Sequence, residues 1–128
     1  YEETIALWGK QWDELRLQDF NESRYCFNFL EGSSFKYFFL AMIYCLVEEG
    51  EAECFALDML LTFWTPYIQD QYNDDFRASK HSLLEKIRSA LSRKDIDIFE
   101  DFVRFVEGNA QIDQTIAART LIKALRAK

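Results

Sequence analysis

One proline, one histidine, four glycines and three cysteines are all that the 128 residues contain, and each scarcity removes a class of protein. The glycines, at 9, 32, 50 and 108, fall in neither a G-x-G-x-x-G nor a G-x-x-x-x-G-K context, so no loop is built to cradle phosphate. Cys26, Cys45 and Cys54 are separated by 19 and 9 residues. An odd count with no C-x-x-C pair makes neither a disulfide framework nor a zinc site, so the cysteines are expected to pack as small apolar residues in a reducing cytoplasm. The longest apolar run, Tyr37 to Val47, is eleven residues, short of the ~20 that span a bilayer. The first twenty residues have neither a basic n-region nor an apolar h-region, so no leader peptide is expected there.

Cations are missing too. From Tyr37 to Phe76, forty residues hold no Lys, Arg or His, yet carry Glu48, Glu49, Glu51, Glu53, Asp58, Asp70, Asp74 and Asp75 among ten aromatic residues. Residues 1–75 have 15 acidic and 4 basic side chains, whereas 76–128 have 7 and 11, so the formal net charge of −7 is unevenly spread. Acidic excess argues against duplex DNA, RNA or an anionic membrane as the main partner, since each is bound by neutralising phosphate with Lys and Arg. A basic protein fits better. With 49% apolar and 16% aromatic residues the chain can bury a core, and the charge does not imply disorder.

What is present is helical periodicity, with no sustained alternation of period two. The expectation is an all-α single domain over 1–128, an irregular bundle of six or seven helices around a buried central αα-hairpin at about 35–64. A first helix is predicted from Glu3 to Phe20 and a short helix or turn from Ser23 to Leu30. Phe35, Phe38, Phe39, Met42, Ile43 and Leu46 then mark a core face over Phe35 to Glu49. Apolar residues on its other faces predict that this helix is surrounded. Ser33 or Ser34 is the expected N-cap, and Gly50 the left-handed terminator.

The hairpin's second arm is predicted over Glu51 to Trp64, and Thr65-Pro66 opens a further helix that yields near Ser79 to one carrying Leu83, Leu84, Ile87 and Leu91. Lys94 or Asp95 begins a helix with Ile98, Phe99, Phe102, Val103 and Val106 inward, stopped by Gly108-Asn109. The last, about Asp113 to Ala127, buries Ile116, Ala117, Leu121, Ala124 and Leu125.

Catalytic chemistry finds little to work with. His81 is two residues from Ser79 and one from Ser82, spacings that do not face each other on a helix. Arg77 and His81 do share a face. In those two residue types they resemble the Arg-His signature of the helical HEPN ribonucleases, although only three residues intervene, fewer than that signature has. The resemblance implies a helical RNase-like enzyme using Arg77 and His81, the weakest of three readings. The Glu48 to Glu53 corner lacks the alternating carboxylates and glycine of a calcium loop, and no E-x-x-H pair is present. No metal site, cofactor or catalytic residue is therefore expected. Trp8, Trp12 and Trp64 could line a pocket, but tryptophans at core spacing more often fill a core.

The acidic residues themselves remain. Asp70 and Asp74 repel at i, i+4, a cost of a few tenths of a kcal/mol that does nothing for the fold. The leading reading is a non-catalytic acidic protein-binding domain, an inhibitor or antitoxin-like immunity protein that occludes the positive cleft of a nuclease or toxin. Its contact residues would be Glu48, Glu49, Glu51, Glu53, Tyr67, Asp70, Gln71, Asp74 and Asp75. The alternative is an adaptor or assembly module in which the acidic segment of one copy meets the basic C-terminal helix of another, or a groove takes a partner helix.

Overall fold

The computed structural model describes Leu7, residues 9–65 and residues 74–127. The protein is all-α: six α-helices and no strand are found among the described residues. Contacts divide the chain into two compact units, Tyr1–Leu60 and Leu61–Lys128.

In the first unit, the long helix expected over Glu3 to Phe20 is replaced by shorter pieces. Gly9 sits at φ 76°, in the left-handed region that breaks a helix. A 3₁₀ turn covers Trp12–Glu14, Leu15 and Arg16 are extended, and helix α1 is confined to Leu17–Glu22. The break is held by Asp19, whose carboxylate accepts from the Arg16 N–H (2.9 Å) and from Lys10 Nζ (2.7 Å). This side chain is almost fully buried, and the two charge-assisted bonds are what make its burial tolerable. A 3₁₀ turn at Cys26–Asn28 fills the span expected to be a short helix or turn.

Helix α2, Gly32–Glu49, starts earlier than predicted, with Glu31 rather than Ser33 or Ser34 in the N-cap position. Phe35, Phe39, Met42, Ile43 and Leu46 are buried, with Phe27 against Phe35 and Phe39 at 5.0 and 5.9 Å between ring centroids. The helix is not surrounded, however. Tyr37, Tyr44 and Val47 remain exposed, with the half-buried Trp12 lying 5.9 Å from both Tyr37 and Tyr44. Gly50 (φ 69°) ends α2 in a Schellman arrangement: its N–H reaches the Val47 carbonyl (3.2 Å), and the Glu51 N–H reaches that of Leu46 (2.9 Å).

The next helix begins four residues later than its periodicity indicates. Helix α3 spans Phe55–Leu61, and the Cys54 carbonyl accepts its first intrahelical bond, from the Asp58 N–H (2.9 Å). Its open N–H at Phe55 donates to Asn21 Oδ1 (3.0 Å), a cap supplied from α1.

The second unit is organised on its last helix. A 3₁₀ turn at Thr62–Trp64 leads to Thr65, and helix α4, Asp74–Ala90, runs through Ser79 without the expected break. Ser79 is exposed there, and no glycine or proline interrupts the turn. Helix α5, Arg93–Val106, is N-capped by Ser92, whose Oγ accepts from the Asp95 N–H (3.2 Å) while the Asp95 carboxylate accepts from the Ser92 N–H (2.9 Å). Helix α6, Ile112–Arg126, packs against α4, α5 and the 62–64 turn.

Its inner face uses Ala117, Ala118, Leu121, Ile122 and Leu125. Ile116, expected inside, is exposed, and Ile98 of α5 likewise faces out while Ile96 is buried. Both misplacements come from allowing an apolar stripe one position too wide. Phe63 stacks on Phe76 at 5.0 Å, and Trp64 is core, with Lys80 Nζ 5.9 Å from its ring.

Candidate functional site

Two glutamates close α2 at the end where the helix dipole is negative, and no basic residue stands in that last turn to offset them. The arrangement is locally unfavourable, and the structure gives the two different compensations. Glu49 Oε2 accepts from the Leu17 N–H (2.8 Å), the first open donor of α1, so this carboxylate ties the corner to a helix N-terminus. Glu48 accepts from the Tyr44 hydroxyl one turn earlier; that hydrogen bond, with the glutamate's charge, raises the phenol above its ordinary 10.0. Glu49 is thus committed to the fold. Glu48 stays exposed beside an exposed aromatic ring.

Around this pair lies a pocket of about 330 Å³, walled by Trp12 and Tyr44 and edged by Asp13, Glu48 and Glu49. Arg16 is the one cation on its lining among the described residues, and its Nη1 donates to the carbonyls of Asp13 and Leu15 (2.9 Å each). Three carboxylates against one backbone-bound guanidinium leave the pocket negative. Cys45 lies at its base with Sγ 3.6 Å from the Leu15 carbonyl, and burial together with the charge of Glu49 pushes its thiol up to about 11. A neutral thiol of this kind is no nucleophile at ordinary pH. An aromatic wall with a carboxylate rim suits a cation, by cation–π attraction and by charge-assisted hydrogen bonding.

The other expected contact residues divide. Glu51 is exposed on the same corner, and Glu53 is half-buried just beyond it. Asp74 and Asp75 belong to the second unit, exposed in the first turn of α4, where negative charge favours the helix; Asp74 also meets Arg77 at 3.4 Å. Tyr67, Asp70 and Gln71 lie outside the described residues, as does Trp8. Trp12, weighed from sequence as a pocket or a core residue, lines the pocket, whereas Asp13 and Tyr44 are pocket residues that the sequence reading passed over. The i, i+4 spacing of Tyr44 and Glu48 was visible in sequence, but nothing there indicated that the chain doubles back to place Trp12 on Tyr44.

Among the described residues no cluster of three metal-ligating side chains is found, and no helix is long and apolar enough to cross a membrane. No protein-family model matches the chain, nor does any curated protein or solved structure.

Proposed function

We propose that this chain is a non-catalytic binding protein whose acidic corner receives a basic protein, most directly as an inhibitor or immunity protein that covers the positive cleft of an enzyme acting on nucleic acid. The observation that carries the reading is the Trp12–Tyr44–Glu48 pocket, a half-buried and an exposed aromatic ring beside an exposed carboxylate. A nuclease cleft is positive because its substrate is negative, and a small acidic surface competes for it without chemistry of its own. Aromatic anchors ringed by charge are also what concentrated binding energy looks like at protein interfaces. The three buried cysteines, none in a disulfide, are in keeping with a cytoplasmic setting.

Capture from native lysate with the full chain, set beside the double variant Glu48→Lys/Glu51→Lys, tests this. A basic protein should be retained by the natural chain, lost with the variant and released by salt, and its enzymatic activity should fall stoichiometrically on titration. Retention indifferent to the variant and to salt would sink the reading.

The assembly reading has one observation in its favour. Phe105 and Ile112, on α5 and α6, are 73% and 75% exposed, more than large apolar side chains of a solitary domain usually are. Sedimentation separates the two readings: a monomer at low and high salt supports a different protein as partner, whereas an oligomer of the isolated chain supports assembly.

A further inference from the structure

The pocket at the acidic corner discriminates among cations. Trp12 and Tyr44 wall a space of about 330 Å³, their ring centroids 5.9 Å apart and their planes tilted at 45°, so the rings form a wedge and not a closed stack. Three carboxylates reach its lining, those of Asp13, Glu48 and Glu49, and none makes an ion pair among the described residues. Glu48 accepts from the Tyr44 hydroxyl and Glu49 accepts through Oε2 from the Leu17 N–H, while the Asp13 carboxylate has no partner among the described residues. All three therefore keep acceptor positions open.

The pocket's own cation does not satisfy them. Arg16 donates to backbone carbonyls and pairs with none of the three. Its charge is outweighed as well. At the exposed Tyr44 phenol, the hydrogen bond and charge of Glu48 prevail over the opposing charge of Arg16, and the group is raised. The Cys45 thiol at the base is raised too, by burial and then by the charge of Glu49, again against Arg16. An entering cation would therefore meet a negative field, two aromatic faces and unsatisfied acceptors in one place.

We infer that this pocket receives one arginine side chain of the basic partner, its guanidinium laid against the Trp12 and Tyr44 rings and its N–H groups donating to Glu48 and Asp13. The inference rests on the function proposed above and names the chemistry of its anchor. A planar guanidinium does both things at once, since its face stacks on aromatic rings while its donors lie along its edge. A lysine ammonium is a compact, strongly hydrated point charge with no face to stack. A quaternary ammonium would meet the rings but has no N–H for the open carboxylate oxygens. Arginine is also among the residue types that concentrate binding energy at interfaces.

NMR titration of the full chain, following the Trp12 indole N–H, tests this with short capped glycine peptides that carry a single arginine, citrulline, lysine or trimethyllysine. Arginine should bind saturably and more weakly as salt is added. Lysine and trimethyllysine should bind about tenfold less tightly, the scale of one charge-assisted hydrogen bond. Citrulline, which keeps the shape and loses the charge, should not saturate. Glu48→Gln and Asp13→Asn, both at exposed positions, should each weaken arginine binding about tenfold with the urea midpoint nearly unchanged. Citrulline matching arginine, lysine or trimethyllysine binding as tightly as arginine, affinity unchanged in both variants, or no saturable binding by the arginine peptide would overturn the inference. Failure here leaves the wider reading standing if capture from lysate still depends on Glu48 and Glu51. Arginine bound in the pocket with no basic protein retained would instead remove that reading and keep the pocket's preference.

Discussion

At the scale of single residues, the cysteines show how composition and burial together determine reactivity. All three are buried and none is in a disulfide, as their count and spacing led one to expect. Desolvation disfavours the thiolate, pushing Cys45 up to about 11 and Cys54 to about 12 from the ordinary 9.0. Between those values and 9.0 the folded state holds protons that the unfolded chain has released. Stability from these groups is therefore complete below pH 9.0 and is lost as pH rises toward 11 and 12. We predict that urea midpoints fall through this alkaline window and that Cys54→Ala flattens the upper part of the fall. At neutral pH a thiol reagent should label the native chain only slowly and react with all three positions after denaturation. Rapid native labelling of Cys45 would contradict the burial argument.

At the scale of elements, helix interiors could be read from the chain, whereas helix starts often could not. The core stripe of α2 and the left-handed Gly50 follow directly from residue order, because both are local properties. The start of α3 depends on a side chain 34 residues away, Asn21, whose Oδ1 accepts from the Phe55 N–H. The broken first helix depends on Asp19 reaching Lys10 and the Arg16 N–H, which no periodicity reveals. A cap from another element can be tested without disturbing packing. Asn21→Ala should cost about 0.5–2 kcal/mol, the range for losing a polar helix cap, and should raise amide exchange in the first turn of α3 more than in the middle of α2. Loss of stability with exchange unchanged at α3 would place the role of Asn21 elsewhere.

At the scale of the whole molecule, the charge imbalance follows the structural division. Residues 1–60 carry 12 acidic and 4 basic side chains, whereas 61–128 carry 10 and 11, so the whole of the negative excess belongs to the first unit. Part of the long cation-free stretch is explained by burial, since α2 and α3 hold core residues where charge of either sign is costly. The corner itself is not explained that way. There the four glutamates named from sequence separate into Glu49, whose carboxylate caps α1, Glu48, which accepts from the Tyr44 hydroxyl, and Glu51 and Glu53 just beyond them. Sequence could not separate them because Glu48 and Glu49 are adjacent and chemically identical; the Leu17 N–H on one and the Tyr44 hydroxyl on the other tell them apart.

That difference yields the sharpest prediction. Glu49→Gln weakens the acceptor at the start of α1 and should lower the urea midpoint. Glu48→Gln should leave it nearly unchanged while slowing association with a basic partner. Because exposed charges act mainly on encounter, the partner's on-rate should fall about 10- to 100-fold between low and high salt, with the off-rate much less affected. Stopped-flow association over a salt series measures both rates. If Glu48→Gln alters stability as much as Glu49→Gln, or if its effect on association persists undiminished at high salt, the two glutamates have been assigned the wrong roles.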